Sequence, residues 1–441
     1  MAEQAQPMSG TFALAPARRA RLVFTVWGVI GIIALLFLLP LGAMDVIGYD
    51  YNSVTGSPVS KIHPATYLSL MVAVVFLLEN YGATGLWTRL LRQNILSLYF
   101  LSALLYAFLF VTLSHRNGLG TVFDSFALAL ILHLIFPDLS ERFKANLETF
   151  LHWFFVVNAA MAILELVLDY RVFPASWEGE PMVDSRATAL LGHPLSNAAL
   201  TGTYVVCLLA GAGRKLSGSW KFCSILLQLL ALIAFGGRTA IVTCFGCVTV
   251  YLLLQVWNFA CGKRASMSTL ILAALLAPCM VVGVLGLGYF GFFDAVIARL
   301  QDDSGSAQTR LWMLDLVGTF SFSELLIGID PDLLASRRYS EGLLWGVENP
   351  LVHMLLTMGI ICCTFIWTGL LAFLVELVRG LRRGAIFPVA YFWLETLSYQ
   401  SWGSRFVGVS ICVLMVSTLF RFGAAGSAVE QNELLPRAIS P

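Results

Sequence analysis

The stretch from Ile95 to Leu113, ILSLYFLSALLYAFLFVTL, decides the fold class. It carries no charge. At a rise of about 1.5 Å per residue, a helix of its length covers most of the roughly 30 Å hydrocarbon core of a bilayer. Nothing in it alternates polar with apolar, so it reads as a helix with apolar surroundings on every side.

Runs of the same kind recur along the chain. Reading windows of about 17 to 25 apolar residues as spans predicts twelve helices, near 22–44, 65–87, 95–113, 119–136, 147–168, 195–213, 220–236, 238–258, 267–290, 350–378, 385–400 and 406–422. Of the 441 residues, 58% are apolar and 12% charged, and the mean hydropathy is +0.81. A soluble globule has about twice that share of charge, so the composition excludes both a water-soluble domain and a disordered chain. The formal net charge of +1 lacks the basic excess that nucleic-acid binding requires. Arg18, Arg19 and Arg21 precede the first run like the start of a signal peptide. That run is too long for a signal and shows no convincing cleavage site, so it reads as a retained helix.

Basic residues sort the loops into two sets. Arg18, Arg19, Arg21, Arg89, Arg92, Arg142, Lys144, Arg214, Lys215, Lys221, Lys263, Arg264, Arg379, Arg382, Arg383, Arg421 and Arg437 fall on one side, and short loops on the other side are poor in Lys and Arg. The positive-inside rule makes the rich side cytoplasmic. The reading is therefore an all-α polytopic membrane protein of about twelve transmembrane helices in a bacterial inner membrane, both termini cytoplasmic. It has an N-terminal tail at 1–21, a transmembrane domain at 22–422 and a C-terminal tail at 423–441. Two long loops, 169–194 and 291–349, fall on the extracytoplasmic face, the larger between helices 9 and 10.

The nine cysteines lie in spans or at a cytoplasmic end and suggest no disulfide framework. Cys244 and Cys247 form a CxxC inside an apolar helix with no second pair nearby, which reads as helix packing rather than a metal site. No fixed-period repeat and no inverted pair of broken helices is evident. No phosphate-binding glycine motif occurs in a cytoplasmic loop. No metal or cofactor is implied.

Four constellations could carry chemistry. The first is Asp184-Ser185-Arg186-Ala187-Thr188-Ala189-Leu190-Leu191-Gly192-His193-Pro194, running on to Ser196 and Asn197. Gly and Pro bend the backbone there, and Arg186 and His193 flank a helix start whose N–H groups suit an anion. The structural alternative is an arginine that snorkels to headgroups and a histidine that caps. The second is Phe235-Gly236-Gly237-Arg238-Thr239-Ala240, a turn between two apolar helices. It holds a guanidinium at the boundary, where bidentate phosphate recognition is possible, or else merely punctuates the topology.

The third lies in the acidic long loop, where Arg299, Arg310 and Trp312 sit in ARLQDDSGSAQTRLW. From Gln308 to Phe320, Leu311, Leu314, Val317 and Phe320 recur at helical spacing, predicting an amphipathic helix lying on the membrane and beginning at Arg310. The fourth is Gly346-Val347-Glu348-Asn349-Pro350-Leu351-Val352-His353. Either Glu348 or His353 could serve as a general base at a bilayer boundary, with capping by Glu348 as the alternative. Glu79, Asp124, His133, Glu165, Glu376 and Glu395 fall within spans. Charge inside a membrane is costly and expected to be paired or near an interface.

Taken in order, RATALLGHPLSNAA, GGRTAIV, an outer loop with Arg310-Leu311-Trp312 and a Gly-Ile-Asp, and ENPLVHMLLTMGII resemble the O-antigen ligase and O-antigen polymerase superfamily. The likeness covers roughly residues 180–360. It implies transfer of glycan from a polyprenyl diphosphate carrier to an acceptor hydroxyl on the outer face, without nucleotide or metal. On that resemblance Arg186, Arg238 and Arg310 would bind the diphosphate, and His193, Asn197, Trp312 and Asn349 would contact substrate. Glu348 or His353 would be the base. The implied partners are a polyprenyl diphosphate-linked oligosaccharide, the bilayer, a chain-length regulator and export machinery. Ligases have a histidine in a His-Asn pair, whereas here Glu348 stands before Asn349. The expectation is therefore a polymerase joining repeat units of an exopolysaccharide or O-antigen, with a ligase as runner-up. A lipid-linked sugar flippase and a noncatalytic assembly partner are the rival classes.

Overall fold

The computed structural model describes residues 16–49, 51, 58–80, 94–115, 118–174, 186–262, 306–343 and 347–422, with scattered positions between them. The described chain is helical except for one two-residue antiparallel pair, Ser176–Trp177 with Glu180–Pro181. In chain order the helices are α1 (Pro16–Leu38), α2 (Leu41–Val46), α3 (Pro64–Asn80), α4 (Ile95–Leu113), α5 (Thr121–Asp138), α6 (Glu141–Leu168), α7 (Pro194–Leu209) and α8 (Gly218–Phe235). They continue with α9 (Arg238–Ala260), α10 (Ser306–Gly318), α11 (Phe322–Ile327), α12 (Pro331–Ser340), α13 (Pro350–Arg379), α14 (Ile386–Thr396) and α15 (Gly408–Leu419).

Among the described residues six helices, α4, α5, α6, α8, α9 and α13, are long and apolar enough to cross a membrane. Phe24–Leu38 of α1, Pro64–Leu77 of α3, α7 and α15 are apolar but shorter. The run read as a span at 385–400 forms only the 11 residues of α14 before the chain turns, about 16 Å of helix. Hydropathy windows count apolar residues and pass over the turns that interrupt them. The span expected at 267–290 lies mostly outside the described residues.

Long-range polar contacts fix the helix ends. Glu376 of α13 accepts the Leu96 and Ser97 amides at 3.0 and 3.1 Å and the Ser97 hydroxyl at 2.6 Å. It thereby satisfies N–H groups that open α4, with His133 Nε2 at 3.6 Å. Gly369 lets the same two helices approach, because a Cβ there would stand 3.1 Å from Ala103 Cβ, and Phe100 stacks on Phe373 at 5.3 Å.

The first turns of α5 are π-helical and hold Asp124 inward. Its carboxylate accepts from Tyr51 Oη at 2.7 Å, Thr66 Oγ1 at 2.6 Å and the His63 amide at 3.1 Å. The Arg405 guanidinium covers the Tyr51 ring at 5.2 Å and donates to the Tyr51 carbonyl. His63 is buried, with Nε2 3.0 Å from the Leu39 carbonyl and Nδ1 accepting the Ala65 amide. Burial pushes its imidazole down to about 4.

Two departures from helical regularity shape the region near the candidate site. At Gly359 the backbone of α13 adopts φ 78° and ψ 165°, breaking the helix into two pieces. The Leu356 carbonyl near this break is satisfied by the Ile329 amide at 2.8 Å. In addition, α10, α11, α12 and the first piece of α13 share a separate small core of Met313, Leu316, Phe320, Ile329, Leu334, Leu343, Val347 and Leu356. The sequence reading laid Leu311, Leu314, Val317 and Phe320 on the membrane. Instead α10 begins at Ser306, its buried side runs through Met313 and Leu316 toward Phe320, and Leu314 is exposed. The apolar partner of the Met313, Leu316 and Val317 side is the chain itself.

The helix α9 is gripped at one end. Its buried residues, Ala240, Ile241, Cys244 and Val248, fall in the first half, whereas Leu253, Leu254, Trp257 and Phe259 are exposed.

Candidate functional site

The first, second and fourth sequence constellations meet at one end of the helices. The loop before α7 is held by a buried carboxylate. Glu165 accepts the amides of Thr188 and Ala189 at 2.7 and 2.9 Å through Oε2, and that of Val172 at 2.9 Å through Oε1. Arg171 Nε donates to the Arg186 carbonyl at 2.8 Å. The Ala187 amide donates to the Ala234 carbonyl at 3.0 Å, tying the loop to the end of α8.

There α8 ends on Gly236, with φ 62°, a left-handed C-cap that glycine adopts without strain. A Cβ on Gly236 would fall 2.9 Å from Cγ and Cδ of Arg186. The Arg186 side chain therefore lies across the turn that leads into Arg238. Both arginines are half-buried.

Thr239 opens onto a cleft of about 390 Å³ lined by Met313 and Leu314 of α10, Glu348, Asn349, Val352, Leu394, Leu397 and Ser398. The cleft thus draws on the turn that carries Arg238, on the α10 segment just beyond Arg310 and Trp312, and on the residues that open α13. Apolar Met313, Leu314, Val352, Leu394 and Leu397 face polar Thr239, Glu348, Asn349 and Ser398 within it.

Asn349 is the cap of α13. Its Oδ1 accepts the Leu351 and Val352 amides at 2.9 and 3.2 Å, and its Nδ2 donates to the Leu397 carbonyl at 3.4 Å. Capping therefore falls to Asn349, and Glu348 is in the cleft wall. His353 is not among the lining residues; Gln400 Nε2 approaches its ring nitrogens at 3.2 and 3.4 Å. Of the two bases considered from sequence, the cleft holds Glu348.

The remaining sequence candidates divide. Asn197 is fully buried and consumed internally, donating to the Thr188 carbonyl at 2.6 Å and accepting Asn158 Nδ2 at 2.9 Å. Trp312 packs into the small core rather than lining the cleft. His193 precedes α7, its Nδ1 accepting the Ser196 amide at 3.4 Å and its ring 6.4 Å from that of Tyr399. The backbone of Arg310 belongs to α10, and its side chain lies outside the described residues.

Sequence reasoning missed Ser398, Leu394 and Leu397, which enter the cleft only because α14 ends beside Asn349. It also missed Arg338, whose Nε is buried without a hydrogen-bond partner among the described residues and whose charge acts on His353. No group of His, Cys, Asp and Glu among the described residues could hold a metal ion.

No family model, curated protein or solved structure matches the chain.

Proposed function

We propose that the chain is a membrane glycan polymerase. It crosses a bacterial inner membrane about twelve times with both termini in the cytoplasm, and joins polyprenyl diphosphate-linked repeat units in the cleft at the outer face. The observation that supports this reading most is the convergence at one cleft of Thr239, the segment following Arg310, and Glu348, with Arg186 lying on the turn before Arg238. Half-buried guanidiniums suit a diphosphate, since they are permanently charged and bidentate. The apolar wall formed by Leu314, Val352, Leu394 and Leu397 suits the first carbons of a polyprenyl chain.

In this reading the acceptor hydroxyl oxygen attacks the anomeric carbon, and the carbon to phosphate-oxygen bond breaks. The electron pair leaves with the diphosphate, whose charge Arg186 and Arg238 stabilise, and Glu348 takes the hydroxyl proton. Charge stabilisation of this kind is commonly the largest single contribution to rate.

The test is the length distribution of lipid-linked glycan in a deletion strain. Accumulated single repeat units support the polymerase. Long lipid-linked chains with an unmodified final acceptor would indicate a ligase, and repeat units trapped on the cytoplasmic face a flippase.

A further inference from the structure

The turn from Gly211 to Ser217 joins α7 to α8. It lies the length of α8, about 27 Å, from the Gly236 turn at the candidate site. Arg382 pins one end of it, donating to the Gly211 carbonyl at 3.2 Å and to the Leu419 carbonyl at 2.6 Å. His152 of α6 lies against it, since a Cβ on Gly213 would stand 3.4 Å from His152 Cε1.

Two nitrogen donors are left over beside this turn. Tyr204 is fully buried, and its hydroxyl lies 2.7 Å from His152 Nδ1 with no other acceptor among the described residues. The phenol therefore donates to Nδ1, and Nε2 carries the ring hydrogen. His152 is 5% exposed, and its Nε2 has no hydrogen-bond partner among the described residues. Trp220, in the first turn of α8, has its indole Nε1 buried and likewise unpartnered, and its ring meets that of Trp153 at 5.3 Å. Buried N–H groups are ordinarily paired, so both call for an acceptor. The charge is unbalanced in the same sense. Arg214 and Lys215 belong to the turn and Lys221 follows Trp220, and none of the three has a carboxylate partner among the described residues. Arg382 and Arg214 lie near enough to Lys221 to act on its charge. The nearby acids are already used: Glu148 pairs with Arg421 at 2.7 Å, and Glu141 with Lys144 at 2.9 Å. Ser217 accepts the Trp220 amide at 3.2 Å, which leaves the Gly218 and Ser219 amides pointing out of the end of α8, where an anion is favoured. Along α6, Val157 and Leu164 are exposed like Trp153, and their spacing places them on its side of the helix. A free anion would leave that apolar strip uncovered, whereas an acyl chain covers it.

We propose that the turn between α7 and α8 binds the phosphate of one anionic phospholipid. Lys221, Arg214 and the first amides of α8 balance its charge, and the N–H groups of Trp220 and His152 donate to its oxygens. Gly213, having no side chain, lets the headgroup approach His152. One acyl chain lies along Trp153, Val157 and Leu164. The site needs a membrane around the protein and is independent of the polymerase reading.

Native mass spectrometry of the full-length protein, delipidated in detergent and titrated with phosphatidylglycerol or phosphatidylcholine, tests it. One phosphatidylglycerol should bind about tenfold more tightly than phosphatidylcholine or better. Lys221→Ala and Arg214→Ala should each weaken that binding about fivefold. Arg142→Ala, which removes an exposed cation near the start of α6, should leave it unchanged. Trp220→Phe keeps an aromatic ring against Trp153 and removes the indole N–H, so it should weaken phosphatidylglycerol about tenfold and spare phosphatidylcholine. Equal affinity for the two lipids, or wild-type phosphatidylglycerol binding in Trp220→Phe, would overturn the site. So would an equal loss in Arg142→Ala, which would mark a diffuse basic surface. Inorganic phosphate at the same concentration should not displace the lipid; displacement would make this a site for a free anion and overturn the lipid assignment.

Discussion

Gly359 and Gly328 meet backbone to backbone: a Cβ on Gly359 would fall on the Gly328 nitrogen, and one on Gly328 would come within 3.0 Å of the Gly359 nitrogen. Both have positive φ, 78° and 86°. This contact joins the segment after α11 to the break in α13 and so positions the Glu348 side of the cleft.

Gly359→Ala and Gly328→Ala should each destabilise the protein by about 1–3 kcal/mol through backbone strain alone, with the steric clash added. Thermal unfolding in detergent should show a lowered Tm for both variants. An alanine at the exposed Gly246, inside α9 where no atom lies near the added carbon, is the control and should hold or slightly raise Tm, since alanine is the better helix former.

Arg238→Lys keeps the charge but loses the planar fork. Polymer output should fall by about 10²–10³ with the membrane level of the protein unchanged, measured by glycan ladders beside immunoblots. Arg310→Lys should behave alike. Unchanged polymer in both variants would sink the diphosphate clamp.

Stability and chemistry should separate at Glu348 and Asn349. Asn349→Ala removes a cap bonded to two amides and should cost about 1 kcal/mol in stability. Glu348→Gln should leave Tm in place and reduce polymer by about 10²–10⁴. Parallel melting curves and glycan ladders read both effects.

His63 makes stability depend on pH. Its folded-state value is near 4 against 6.5 for the free side chain, so between those values the unfolded chain binds a proton that the folded chain does not. Stability is therefore complete above pH 6.5 and declines as pH falls toward 4, by about 1.4 kcal/mol per unit. Comparing Tm at pH 7 and pH 5 should show a smaller drop for His63→Gln than for the wild type.

The legibility of these features in the sequence follows their physics. Ile95–Leu113 is readable to both ends because lipid exposure demands an unbroken apolar run, and the loop motifs are readable because charged residues stand out against such runs. Gly359 is invisible to hydropathy, since a glycine within MLLTMGIICC adds apolar character while ending the helix. Asn197 looks like part of the Arg186 motif and is an internal strut, because only the fold reveals that Asn158 and the Thr188 carbonyl consume its amide. Ser398 has no motif at all; its place comes from α14 stopping short beside Asn349. Glu395 is noticeable by type, but that its Oε2 has no hydrogen-bond partner among the described residues emerges only from packing.

The asymmetric grip on α9 bears on how the protein tolerates its lipid. Tyr391 Oη donates to the Ala240 carbonyl at 3.1 Å, passing over Gly202, where a Cβ would clash with that ring. The half of α9 toward Ala260 presents exposed apolar side chains instead. On the proposed membrane reading, a change in bilayer thickness is taken up by helix tilt and should displace the loosely held Ala260 end of α9 more than the clamped Arg238 end, so acyl-chain length should vary with little effect on the cleft.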